Sequence, residues 1–269
     1  MNQNFSAQHF GKEGCLIVDR LFETSIIDAI YEEYKRQFPI LDSSELPAHL
    51  KVGNLRFQLP IRLTGPLLEP VFFANPIITW LLRQLLGEDF LIDNFTCVVA
   101  LAGAAEQKLH RDHPSLYPMT DEARKLLQPF AITLAIPLID LNATTGTTKL
   151  FDGSHLAPPD YPSSDPGIGL LPYVSRGGCY FMDYRLLHRG MPNLSEAARP
   201  IIYINYARSW FTDMINFKKH ERLNICYDDA QSIDAEYRPL FRRLAGKGGF
   251  DMSIKEWLGD SAPFATASS

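Results

Sequence analysis

The sequence has no excess of positive charge, no paired cysteines, no long apolar run and no internal repeat, and each absence closes off a class of protein. A formal charge of −5 and a pI near 5.8 leave no broad basic surface for nucleic acid or an anionic membrane. The densest basic stretch, Arg242-Arg243 to Lys247, is short and has Asp251 and Glu256 nearby, the pattern of a solvated helix end. Cys15, Cys97, Cys179 and Cys226 form no CxxC pair, which excludes a zinc ribbon and a dense disulfide scaffold. Cys97 and Cys179 lie inside apolar runs, where a thiol acts as a small core hydrophobe. Nothing approaches the run of about 20 apolar residues needed to span a bilayer. The opening MNQNFSAQHFGKEG has no basic region followed by an apolar stretch, so a cytoplasmic setting is the expectation.

What is present is an ordinary globular chain of 269 residues, 46% hydrophobic and 21% charged, enough for one domain over 1–269 with a large core. Two helices are expected early. The first starts at Thr24-Ser25, which can cap it, sets Ile26, Ile27, Ile30, Tyr31 and Tyr34 on one face, and stops at Pro39. The second has Asn75 as cap, Pro76 at its first position, a body over Ile77–Leu86 and Gly87 at its end. Beyond Gly87 the period changes to short runs rich in β-branched and aromatic residues: Phe90–Leu101, Phe130–Leu138, Thr147–Phe151, Leu170–Val174, Cys179–Asp183 and Pro200–Phe211. Turn clusters separate them and no long helix intervenes, which predicts a mainly β sandwich or barrel with flanking helices. A last helix is expected over Asp229–Leu244, and the small polar tail from Ser261 is expected to fray.

Three places carry chemistry. In Leu109-His110-Arg111-Asp112-His113, an extended backbone points residues i and i+2 to one side, so His110 and Asp112 converge while Arg111 turns away. Alone, such an HxD is common. His188 follows the apolar run ending at Asp183; with the first pair it completes two imidazoles and one carboxylate on one face of an octahedral metal, leaving the opposite face open. Arg199 opens an otherwise apolar strand, where a guanidinium needs an anion and matches a carboxylate bidentately.

The full set, Gln107-x-x-His110-x-Asp112, Gly146-Thr147-Thr148 through Gly153-Ser154-His155, and His188-Arg189-Gly190-x-x-Asn193-x-Ser195-x-x-x-Arg199, resembles the phytanoyl-CoA dioxygenase (PhyH) family of iron(II)- and 2-oxoglutarate-dependent oxygenases. The likeness runs from about Phe10 to Trp210, and the eleven-residue step from His188 to Arg199 matches the family spacing. Asp152 departs from the proline many members have before Gly-Ser-His, a change in a loop and not in a ligand. The resemblance implies a double-stranded β-helix (a jelly-roll, cupin-like barrel) over about 88–212, helical support over about 20–87 and a C-terminal helical segment over about 213–260. It implies Fe(II) held by His110, Asp112 and His188, 2-oxoglutarate held by Arg199 with help from Gln107 and Thr148, and O₂ as the other cosubstrate. His113 and His155 are expected to orient or support these groups.

The chemistry so implied is hydroxylation of an unactivated C–H bond with release of succinate and CO₂. Desaturation, epimerisation, cyclisation and endoperoxide formation use the same cofactors. Asp112 disfavours halogenation, since halogenases of this class lack that carboxylate and seat chloride there. The expected partner is a free small molecule, a natural-product intermediate ahead of an acyl-CoA because no basic cluster is present, and neither nucleic acid nor membrane. Arg56, Gln58, Tyr117, Trp210 and Phe211 are candidates to line its pocket, with residues 113–128 as a lid over the mouth. A cupin-like zinc or manganese enzyme would use the same three ligands but leave Arg199 unexplained, and a non-catalytic binding protein would have no need of a complete ligand set.

Overall fold

A computed structural model describes residues 6–41, 46–113, 115–116, 119–158, 161, 166–216 and 222–244. In chain order the elements are α1 (Ala7–Glu13), β1 (Cys15–Val18), α2 (Thr24–Gln37), β2 (Lys51–Gly53), β3 (Arg56–Leu59), α3 (Pro70–Phe73), α4 (Pro76–Leu86), β4 (Leu91–Ala100), α5 (Asp121–Leu126), β5 (Ala131–Pro137), β6 (Thr148–Leu150), β7 (Cys179–Asp183), β8 (His188–Gly190), β9 (Arg199–Ala207) and α6 (Tyr227–Gln231). The strands form a seven-stranded antiparallel sheet, β1-β7-β5-β9-β4-β3-β2, and a small sheet of β6 and β8. Single bridges at His110 and Leu170 extend the small sheet on its two sides. Among the described residues no helix is long and apolar enough to cross a membrane.

Alternation along the strands divides the large sheet into two chemically different faces. Ile202, Ile204 and Tyr206 of β9, Ile132, Leu134 and Ile136 of β5, and Cys97 and Val99 of β4 share one hydrophobic cluster with Ile27 and Ile30 of α2 and Ile78, Leu81, Leu82 and Leu85 of α4. These helices therefore brace the outer face. The inner face is unusually polar: Ala135, Tyr203 and Thr96 stand in one cross-strand row, Ile201, Val98 and Gln58 in another, and Arg199, Ala100 and Arg56 in a third. Burying the outer face anchors the register, and a one-residue slip would carry the polar set into the helical core.

Sequence expectations for the long elements hold. Asn75 caps α4, its Oδ1 accepting from Ile77 N at 2.9 Å, and Gly87 ends the helix with φ at 90°. At α2 the cap is Glu23, with Thr24 already inside the helix. The run Leu170–Val174 is reduced to one bridge at Leu170, because Pro172 cannot donate to a ladder and Gly169 and Leu170 meet β6 at a single point. Pro200–Phe211 ends as a strand at Ala207, where Phe211 N turns back to Arg208 O. The single helix expected over Asp229–Leu244 is broken into α6 and a 3₁₀ segment, Arg238–Leu244, containing Pro239. The expected frayed tail lies outside the described residues.

Candidate metal centre

Backbone pairing brings the two histidines together. His110 N donates to His188 O at 3.0 Å and His188 N donates to His110 O at 2.9 Å, so residues 78 apart in sequence face each other across one bridge. Asp112 lies two residues beyond, and one donor atom from each of His110, Asp112 and His188 falls within 4.8 Å of the others. His188 Nε2 stands 3.5 Å from Asp112 Oδ1, and the imidazole centroids are 4.3 Å apart. Both rings are fixed alike. His110 Nδ1 meets Lys108 O at 2.8 Å and His188 Nδ1 meets Leu186 O at 2.9 Å. A carbonyl accepts only, so each Nδ1 carries the proton and each Nε2 presents a lone pair. Burial pulls His188 below its usual pKa, against the opposing pull of Asp112, and so favours the neutral ligand form.

The loops behind the ligands are tied down by buried groups. Arg185 forks onto Asp183 through Nε–Oδ1 at 2.8 Å and Nη2–Oδ2 at 2.7 Å, setting the turn that delivers His188. Ser154 Oγ accepts from Leu187 N at 2.9 Å. Arg111 turns away from the ligand side and donates to Ser154 O and Arg185 O. On the other side Asn216 donates to Asp112 O at 2.8 Å and to Asp213, which accepts from Tyr184; Asn205 in turn donates to the Tyr184 hydroxyl. This chain from β9 to Asp112 has no short motif in the sequence, because its members lie on three separate segments.

A cavity of about 600 Å³ opens onto His110, Asp112 and His188, with Gln58, Thr96, Gln107, Thr133, Thr148, Tyr203 and Asn205 among its walls. Thr148 Oγ1 lies 2.8 Å from the Tyr180 hydroxyl and 3.3 Å from that of Tyr203, which places three hydroxyls together. Gln107 is held at both ends: Nε2 donates to Val52 O and Oε1 accepts from Gly190 N. Arg199 is 1% exposed and sits just beyond Tyr203 and Tyr180. Its Nη1 donates to Thr145 O and its Nη2 to Met191 O, while Nε has no partner. Asn193 builds the turn before it, donating to the carbonyls of Ala100, Leu101 and Ala197 and accepting from Ser195. Gly146 makes room for it, since a Cβ there would overlap Pro192 O and Arg199 Nη1.

The other sequence candidates divide. Gln58 lines the cavity. Arg56 is 3% exposed and lies behind the wall, beside Arg199. Trp210 is 64% exposed and off the cavity, and Phe211 packs among Phe130, Tyr184 and the ring of His113; once the strand ends at Ala207 neither points inward. Tyr117 lies outside the described residues. None of the described residues of 113–128 lines the cavity; Asp121–Leu126 within that stretch forms α5, capped by Thr120, with Arg124 buried. His155 is structural, its Nε2 on Gly11 O at 3.1 Å and its ring against Gly14.

Comparison with known proteins finds relatives of this chain. The profile of the family described as phytanoyl-CoA dioxygenase (PhyH) matches residues 10–201. Dioxygenase af480 of Aspergillus fumigatus is 27% identical over 186 residues, covering 66% of this chain and 54% of that protein. The chain thus spans about half the length of this curated relative. Among solved structures, AviO1 from Streptomyces viridochromogenes Tue57 superposes with a TM-score of 0.59 at 19% identity, covering 78% of this chain and 96% of that one. EvdO2 from Micromonospora carbonacea var. aurantiaca, solved with 2-oxoglutarate, gives 0.60 at 16% identity over 78% and 92% of the two chains. At such identities the structural likeness speaks for the fold alone, a jelly-roll.

Proposed function

The chain belongs to the phytanoyl-CoA dioxygenase (PhyH) family, and on that premise we propose that it is a single-domain iron(II)- and 2-oxoglutarate-dependent dioxygenase that hydroxylates a C–H bond of a small molecule. His110, Asp112 and His188 hold the metal, and Arg199 holds the distal carboxylate of 2-oxoglutarate. The observation that carries this is the donor set: two imidazoles with Nε2 left free by backbone carbonyls, converging with one carboxylate. Such a triad suits iron(II) and leaves coordination positions for other ligands.

The surrounding residues fit the cosubstrate as well. Arg199 is a buried guanidinium with an unpartnered Nε and no carboxylate partner among the described residues, a costly state unless an anion completes it. Gln107 and Thr148 line the same cavity as His188, which supports a part for them in orienting the cosubstrate. When bound, iron(II) with 2-oxoglutarate and O₂ supplies the oxidising power for C–H cleavage, with succinate and CO₂ released. Asp112 keeps a protein carboxylate where a halide would otherwise sit. The polar wall of Gln58, Thr96, Thr133 and Asn205 favours a substrate bearing hydroxyl or amide groups.

The test is an anaerobic titration of metal-free protein with iron(II) and then 2-oxoglutarate, followed by the weak visible charge-transfer band of the chelate. The band is expected in the wild type and absent in His188→Ala. Well-folded wild-type protein that gives no band, and turns over a substrate without O₂ or 2-oxoglutarate, would instead be a cupin-like metalloenzyme.

A further inference from the structure

β9 ends at Ala207, and the chain beyond it turns at Asp213, a carboxylate that is 0% exposed. Burying such a group is costly unless its lone pairs are met. At Asp213 they are. Its Oδ1 accepts from Ile215 N at 2.8 Å and Asn216 N at 3.0 Å, and its Oδ2 accepts from the Tyr184 hydroxyl at 2.9 Å and Asn216 Nδ2 at 2.8 Å. A carboxylate offers about four acceptor sites, and these donors, all neutral, fill them.

The two oxygens have separable tasks. Oδ1 closes a turn on the main chain just ahead of it, which an asparagine would do equally well. Oδ2 does what an amide cannot. Because it only accepts, the Tyr184 hydroxyl must donate to it, and that hydroxyl in turn accepts from Asn205 Nδ2 at 2.8 Å. Its other donor, Asn216 Nδ2, has two hydrogens: one goes to Asp213 and the second to Asp112 O at 2.8 Å. An asparagine at position 213 that kept the turn would present its NH₂ to both donors, and the Asn216 amide would lose its anchor.

The turn is also held from behind. Asp213 N donates to Asp93 Oδ2 at 3.4 Å, and the Arg222 guanidinium donates to Asp93 and to Asp213 O. Asp93 sits where the pairing of β4 with β9 shifts register, between Ile92 and Asn94, a bulge that leaves its side chain to meet this loop. Asp213 is thus fixed by β4 and β9 together, and what it holds through Asn216 is the main chain of Asp112, whose carboxylate converges on His110 and His188.

We propose that Asp213 is a positioning residue for this metal centre: through the Asn216 amide it fixes the main chain of Asp112, and so the direction from which that carboxylate meets the metal. This rests on the metal-binding reading of His110, Asp112 and His188 given above.

The test titrates metal-free wild type, Asp213→Asn, Asn216→Ala and the double variant anaerobically with iron(II), and with cobalt(II), whose visible bands report coordination geometry. Asn216 is exposed, so Asn216→Ala should fold even if the buried Asp213→Asn does not. Each single variant should bind metal roughly tenfold to a hundredfold more weakly. The cobalt bands should shift, because the carboxylate is no longer held in one orientation. The double variant should be no weaker than Asp213→Asn, since both changes cut one link. An unchanged Kd or unshifted cobalt bands in Asn216→Ala, or losses that multiply in the double variant, overturn the positioning role while leaving the oxygenase reading intact. Wild-type protein that takes up neither metal overturns both.

Discussion

At the scale of single residues, protonation states follow from what each polar atom can reach. His155 shows this away from the candidate metal site. Its Nε2 hydrogen goes to Gly11 O, which leaves Nδ1 buried against Gly14 with no acceptor for a second proton. Burial accordingly lowers its pKa from the ordinary 6.5. The unfolded chain then takes up a proton before the folded one as pH falls, so stability should be level above about pH 7 and decline as pH drops below 6.5. The decline ends once the folded state is also protonated. Chemical denaturation of metal-free protein across pH 5–8 should show this slope, reduced in His155→Gln by up to about 1.4 kcal/mol per pH unit. It should not vanish, since His188 shifts in the same direction. A slope identical to wild type would show that His155 titrates freely. The histidines and Asp112 are readable from sequence because two-residue spacing fixes their side. The hydrogen bonds that set their tautomers are not, because they depend on backbone carbonyls placed by the folded loops.

At the scale of elements, the turns matter as much as the strands they join. The turn ending at Gly146 precedes β6 and packs against the Met191–Pro192 loop that follows β8, and Gly146 has φ of 71°. A side chain there would meet both a strained backbone and the Arg199 guanidinium. Gly146→Ala should lose roughly 1–3 kcal/mol of stability. It should also weaken 2-oxoglutarate binding more than iron binding, which parallel metal and chelate titrations would reveal. Equal losses of both would mean the strain spreads through the fold. Long, well-punctuated elements such as α4, β4, β5 and β9 were legible because burial of one face leaves a period in the sequence. α1, β1 and the β2–β3 hairpin are too short for a period to emerge, and were missed. Arg56 lies on that hairpin, so its sequence reading as a substrate contact lacked the register that sets it beside Arg199.

At the scale of the whole molecule, the proposed metal and cosubstrate positions lie between the two sheets, so binding there should link them. A ligand that binds only the folded state stabilises it by about 2.7 kcal/mol at a hundred times its Kd. For a domain of this size that is a rise of roughly 5–10 °C in melting temperature. Iron(II) added anaerobically should raise the melting temperature, and 2-oxoglutarate should raise it further only when the metal is present. Arg199→Ala should keep the first increment and lose most of the second. A full second increment in that variant would refute the role given to Arg199. The sequence by itself determined the residue types available for chemistry, the mainly β class and the bracing helices, because metal-ligand spacing and one-sided burial are local properties of the chain. Tertiary structure alone decided that His110 bridges His188, that Asn216 and Asp213 tether the Asp112 loop, and that two arginines from different strands lie across one alanine. Those relations depend on strand register and loop packing, which are fixed only when the helices cover the outer face of the sheet.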